Sequence, residues 1–250
     1  MAGVLVRSLA AAAVAAAVAS GGFYATVRFF PGAFGNYFAI KHVQLTGEVE
    51  GIDPKAVRRA LSGGIEGNLF TVDVQAVAER FAEVPWVRSV ALRRRWPDAL
   101  EVAVRRHRPF AHFEDGRLVD EDGTLFSVPE DDALAASGLP EIFGPEDRAA
   151  QAVARHRLLT ARMREVGFEG RISEIAVTER GSWTVVVDRG GPGPLQVLLG
   201  AAGEDKALAD RFTQVLLQYP EVCRVLGGAP ARIDARYRQA FAASLKAGAQ

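Results

Sequence analysis

The stretch VPWVRSVALRRRWPDALEVAVRR, residues Val84 to Arg106, reads as two strands folded about one tight turn. In the first, Trp86 to Arg95, the residues Trp86, Arg88, Val90, Leu92 and Arg94 share one parity. In the second, Leu100 to Arg106, the residues Leu100, Val102 and Val104 share one face. A two-residue period of this kind marks half-buried strands, and Trp96-Pro97-Asp98 supplies the turn. Working upstream, Pro85 closes a helix whose apolar stripe is Val74, Val77, Ala78 and Phe81, with Thr71 or Asp73 as its cap. Before it stand Asn68-Leu69-Phe70 and an earlier helix, started by Asp53-Pro54, carrying Val57 and Leu61 four residues apart and stopped by Gly63-Gly64. Tyr37 to Thr46 alternates Phe38, Ile40 and His42 with Ala39, Lys41 and Val43, and Gly47 ends this opening strand. The order is strand, helix, helix, strand, strand over residues 37–112, a small sheet with two helices on one face.

Downstream, a second unit is expected over residues 113–242, again of mixed α+β type. Leu118-Val119-Asp120 and Leu125-Phe126 flank the turn Glu121-Asp122-Gly123 as a hairpin. Residues 129–140 read as acidic and irregular, and Leu139 to Ile142 as a short edge segment. Pro145 opens a helix to Val166, with Val153, Leu158, Leu159 and Met163 facing in. Three strands follow, Arg171–Thr178, Ser182–Asp188 and Leu195–Leu199, then a second helix, Glu204–Tyr219, burying Leu208, Phe212, Val215 and Leu216. Ala231 to Tyr237 reads as the last strand, and residues 243–250 as a disordered tail.

At the other end, residues 1–7 lead into Ser8–Val27, twenty uncharged and mostly apolar residues between Arg7 and Arg28. Twenty helical residues span roughly 30 Å, the thickness of a hydrocarbon core. A cleaved signal peptide is the competing reading, because Ala17-Val18-Ala19 suits cleavage. The apolar character continues to Phe29 and Phe30, beyond the usual signal core of about 7–15 residues. The reading adopted is one transmembrane anchor over 8–30. Arg7 opposes Arg28 and Lys41, so charge orients the span weakly; the short leading segment favours an internal amino terminus with about 220 residues outside.

Thirty Lys and Arg balance thirty Asp and Glu, which argues against nucleic acid as a partner. The balance is split. Residues 1–112 hold 14 basic against 9 acidic, net +5, and residues 113–250 hold 16 against 21, net −5. A sign change at mid-chain fits two units with different surfaces. The clusters Arg93-Arg94-Arg95 and Arg105-Arg106-Arg108 read as solvated strand faces and edge protection; a docking patch for acidic partners or anionic headgroups is the alternative.

No catalytic residue is found. His42, His107, His112 and His156 lack metal-ligand spacing, and Cys223, the one cysteine, excludes a disulfide within the chain and lacks a nucleophile motif. No Gly-x-Ser-x-Gly elbow occurs, and Gly190 to Pro194 is a turn without the Gly-x-Gly-x-x-Gly pattern of a phosphate cradle. No cofactor is implied.

The first unit resembles a POTRA domain, a module that binds other polypeptides, through Ile40–Gly47, Gly67-Asn68-Leu69-Phe70, Val84-Pro85-Trp86-Val87 and Arg95-Trp96-Pro97-Asp98-Ala99-Leu100. Behind an amino-terminal span, these pieces are similar in order to the FtsQ/DivIB family of bacterial cell-division proteins. The second unit extends the resemblance through Asp120-x-x-Gly123-x-x-Phe126, Gly181-Ser182-Trp183, Lys206 with Arg211-Phe212, and Asp234-x-Arg236-Tyr237. Ala235 stands where the family commonly has Leu, and Ala240 where it usually has Gly. The resemblance implies a non-catalytic scaffold of the divisome in the cell inner membrane. Such a scaffold is single-pass, with its bulk in the periplasm, at the septum. It recruits FtsB and FtsL by strand addition, helps control septal peptidoglycan synthesis, and meets other divisome membrane proteins through the POTRA domain and anchor. Carried over, the partner-binding residues are Arg236, Tyr237 and Phe241, with Asp234 beside them. The alternative function is a POTRA-bearing transport or secretion component that binds unfolded polypeptides; the chain shows few of the long alternating strands that a membrane barrel needs.

Overall fold

The computed structural model describes residues 39–62, 68–201, 203–237 and 240–245. The expected anchor, Gly63-Gly64 and residues 246–250 lie outside them. Among the described residues, no helix is long and apolar enough to cross a membrane. The chain divides into two compact units at His107/Arg108.

In the first unit, β1 (His42–Gly47), α1 (Pro54–Ser62), α2 (Val74–Ala82), β2 (Val87–Arg95) and β3 (Ala99–Arg106) follow the expected order. The sheet runs β1-β3-β2, with β1 parallel and β2 antiparallel to the central β3. Leu100, Val102 and Val104 of β3 are buried with Val57, Val77 and Phe81 from the helices. Asp73, rather than Thr71, caps α2, its carboxylate accepting from the N–H groups of Gln75 and Ala76. Among the described residues the opening strand starts at His42; Tyr37 and Phe38, where the sequence starts it, lie outside them. Ala39 makes only an isolated bridge to Asn68, and the N–H groups of Lys41 and His42 both donate to the Asp98 carbonyl before the ladder begins.

A bulge between Val87 and Ser89 breaks the expected parity at the start of β2 and turns Val87 into the core. From Val90 onward the alternation holds. Arg94 lies opposite Leu100 on the helix-facing side, where its guanidinium donates to the carbonyls of Leu69 at 2.7 Å and Val72 at 3.1 Å. Arg95 faces the other way and pairs with Glu101 at 2.7 Å.

Among the described residues, the second unit is built on one nine-stranded mixed sheet. Its strands are β4 (Pro109–Phe113), β5 (Leu118–Asp120), β6 (Leu125–Phe126), β7 (Glu141–Phe143), β8 (Arg171–Val177), β9 (Ser182–Asp188), β10 (Leu195–Ala201), β11 (Arg232–Asp234) and β12 (Ala242–Ser244). Their spatial order is β12-β11-β10-β9-β8-β7-β4-β5-β6. Helices α3 (Glu130–Ala135), α4 (Ala149–Glu165) and α5 (Asp205–Leu226) complete the unit. Alternate residues Trp183, Val185 and Val187 of β9 and Leu195, Val197 and Leu199 of β10 share one core with Leu159 and Met163 of α4 and Leu208, Phe212 and Val215 of α5. Arg155 of α4, 1% exposed, lies 4.3 Å over the Trp183 ring and pairs with Asp205 at the start of α5 at 2.8 Å. A buried cation is tolerated when it is paired in this way. At the far edge, Gly123 has φ +87°, and a Cβ there would come within 2.2 Å of the Ala150 Cα, so the β5–β6 turn sits directly on α4.

Several expectations change. Residues 109–112, assigned by the sequence to the end of the first unit, lie in strand β4, which pairs with β5 and β7 of the second, and the contact division falls at 107/108 rather than 112/113. The segment read as an edge is β7, an interior strand between β4 and β8, with Ile142 buried. Residues 130–135 of the stretch read as irregular form α3. The last helix does not stop at Tyr219 but runs through Pro220 to Leu226, ending on Gly227 in the left-handed conformation. The final strand is shorter than Ala231–Tyr237, and the chain returns as β12 antiparallel to it, so Ala243 and Ser244 belong to the sheet.

Candidate functional site

The residues singled out at the end of the chain gather around β11, β12 and the middle of α5. Backbone pairing fixes which groups are open there. The Gln196 N–H donates to the Ala231 carbonyl and the Ala235 N–H to the Leu198 carbonyl, so alternation turns Ile233 toward β10 and Arg232 and Asp234 toward β12. Those two pair with Ser244 and Ala242. The N–H and C=O of Ala243, between them, therefore point away from β11 along the outer edge of the sheet. Among the described residues, no strand follows β12 in the sheet order.

Asp234 and Arg236 form a fork. The Arg236 guanidinium meets the Asp234 carboxylate at 2.6 to 3.0 Å, and its backbone N–H donates to the same carboxylate at 3.1 Å. These hydrogen bonds hold the Asp234 carboxyl below the usual carboxylate range and raise the Arg236 guanidinium above its ordinary value. Arg236, one of the residues expected to bind a partner, thus has a carboxylate supplied from within the chain. The stem of Arg236 crosses Gly200, whose φ is +70°, and a Cβ on Gly200 would stand 2.9 Å from the Arg236 Cγ. Beside it the Arg211 guanidinium of α5 donates to the Leu199 carbonyl, tying the helix to the end of β10.

Tyr237 and Phe241 belong together on the other side. With Asp210, Arg211, Gln214, Gln218 and Ala240 they line a groove of about 370 Å³. Tyr237 is 61% exposed and outside the core, whereas Phe241 is half-buried and packs on it. Ala235, in place of a larger apolar residue, is fully buried under the strand end, and Ala240 is exposed. The helix residues 210, 214 and 218 escaped the sequence reading, although their four-residue spacing places them on one face. β12 escaped because Phe241-Ala242-Ala243-Ser244 carries almost no strand signal.

The other polar candidates are accounted for inside the fold. His112 Nε2 lies 3.0 Å from the Ala136 carbonyl and His156 Nε2 lies 3.2 Å from that of Ile172. Burial pushes His156 below its ordinary value. Cys223 is partly exposed. Among the described residues, no group of three or more His, Cys, Asp or Glu side chains could hold a metal ion.

Family models match both units. The POTRA domain of FtsQ type covers residues 38–107, and the FtsQ/DivIB carboxy-terminal domain of cell-division proteins covers residues 111–236. The chain belongs to the FtsQ/DivIB family. It is 32% identical over 205 residues to the cell division protein FtsQ of Burkholderia pseudomallei, covering 82% of this chain and 79% of that one. It is 30% identical over 206 residues to FtsQ of Neisseria gonorrhoeae, with 82% and 79% covered. FtsQ of Bordetella pertussis matches at 28% over 253 residues, covering 96% and 89%. The FtsQ-type POTRA match stops at the junction the structure places after His107. The FtsQ/DivIB match ends at Arg236, so Tyr237, Phe241 and β12 lie just beyond it.

Proposed function

We propose that this chain is a non-catalytic assembly protein of the divisome, anchored in the inner membrane by residues 8–30 with its two folded units in the periplasm. It recruits FtsB and FtsL at the septum by accepting a partner strand on β12, and through them helps control septal peptidoglycan synthesis. The observation that carries this reading is the outer edge at Ala243, next to the exposed Tyr237 and its groove. Outward N–H and C=O groups give a partner strand its hydrogen bonds, and the groove gives its side chains specificity. Tyr237 offers aromatic area with a hydroxyl at low conformational cost. Phe241 forms the floor, while the Asp234–Arg236 fork keeps the turn after β11 in place. Replacing Tyr237 by Glu puts a charge where the partner closes over the ring. FtsB–FtsL co-purification is expected to be lost with the circular dichroism spectrum unchanged; retained binding on an intact fold would sink the docking reading.

A further inference from the structure

Of the three tryptophans, Trp86 and Trp183 are 8% and 1% exposed, whereas Trp96 is 59% exposed. It stands on the β2–β3 turn, its ring 4.9 Å from that of Phe70 and nearly edge-on to it. Phe70 is itself 37% exposed on the turn after Asn68. The two turns flank the place where the chain enters the first unit. Ala39 bridges to Asn68, and the Lys41 N–H donates to the Asp98 carbonyl at 2.9 Å.

The charges at this end are arranged unequally. Lys41 pairs with Asp98, and Arg95 with Glu101, but the two cations are each 67% exposed and the two carboxylates 27% and 15%. Arg93 is exposed on the same sheet face as Arg95. Arg94 points inward to backbone carbonyls, and the carboxylate of Asp73 is occupied in capping α2. The outermost groups are thus two aromatic rings and three cations.

The eleven residues between Phe30 and His42 reach at most roughly 36–40 Å when fully extended. This end of the unit is therefore the one held within reach of the bilayer, on the reading that residues 8–30 span it. Exposed Trp with Lys and Arg is the composition that settles at a headgroup layer, the ring in the interface and the cations against anionic lipid. We propose that the surface formed by Phe70, Trp96, Lys41, Arg93 and Arg95 rests on the anionic headgroups of the membrane carrying the anchor. This holds the first unit down on the bilayer.

The proposal rests on the anchor reading, and the test separates the two. The full chain is reconstituted in phosphatidylcholine vesicles with and without phosphatidylglycerol, each containing a headgroup-labelled quencher, and tryptophan fluorescence is read. Quenching is expected with phosphatidylglycerol present, falling about twofold or more when that lipid is omitted and again in Trp96→Phe. A Lys41→Gln/Arg93→Gln/Arg95→Gln chain, which keeps Trp96, is expected to lose quenching to a similar extent. A chain that floats with the vesicles but shows no Trp96-dependent quenching overturns the docking and leaves the anchor standing. A chain that does not float overturns both. Trp96 shielded only when a partner protein is added, and not by lipid, assigns the surface to that protein and also overturns the proposal.

Discussion

The first sheet ends on β2 and the second on β12, and the two edges are made of opposite chemistry. β2 is nine residues long and carries Arg88, Arg93 and Arg95 exposed along it. β12 is three residues, Ala242-Ala243-Ser244, without a charge. A long edge is a template for unwanted pairing, and charged side chains are a common means of blocking it. A short uncharged edge is less hazardous alone and can be left open when a neighbouring groove selects the strand that joins it. On the proposed reading, length and charge, rather than the presence of an edge, separate the guarded rim of β2 from the rim that β12 offers to a partner.

The strongest way to break this comparison is Ala243→Pro. Proline there removes only the outward N–H and leaves the rungs to β11, the placement that edge strands tolerate. The expected outcome is a loss of FtsB–FtsL affinity on the order of 100-fold by titration, in the range of a hot-spot residue. An equal loss from Arg93→Ser on β2 would erase the distinction between the edges. A second test sharpens the contrast between neighbouring arginines. Arg94→Ala strands two loop carbonyls and should lower stability by about 2–3 kcal/mol in urea unfolding. Arg93→Ala, one residue away and facing outward, should stay within about 0.5 kcal/mol.

The smallest effect concerns pH. The folded Asp234 carboxyl is held below its unfolded range by Arg236. Its contribution is therefore fully present above the ordinary carboxylate range, at about pH 4 and higher. It is lost as pH falls through the depressed folded value. A modest stability gap between the parent and Asp234→Asn at neutral pH should close on acidification; a gap that widened would assign the fork no stabilising role.

The first unit was the more legible in sequence. Its strands and helices have clear periods and firm punctuation in Asp53-Pro54, Pro85 and Trp96-Pro97-Asp98. Its errors were local: Val87 enters the core through a bulge that parity cannot announce. The second unit hid more. β7 contributes one buried side chain, Ile142, and owes its place to β4 and β8 on either side. Pro220 reads as a helix stop, because it lacks an N–H and crowds the preceding turn. Packing overrides it: Tyr219 meets the Phe168 ring edge-on at 5.2 Å and accepts a hydrogen bond from Arg189, and Val222 still reaches the core. At the candidate site, Tyr237 and Phe241 were named from the sequence, but the strand beside them was not, since alanine and serine give pairing no local voice.

The order of the second sheet has a consequence for how the chain is made. Its strands run across the sheet almost in the order in which they are synthesised, and β12 comes after all the others. A polypeptide interrupted between Asp234 and Phe241 would present β11 at its rim, with the Arg232 and Asp234 backbone groups where those of Ala243 should be, and without the Phe241 floor. On the proposed reading, the edge offered to a partner exists only on molecules whose synthesis has passed that point, and unfinished copies carry the wrong pattern of donors and acceptors.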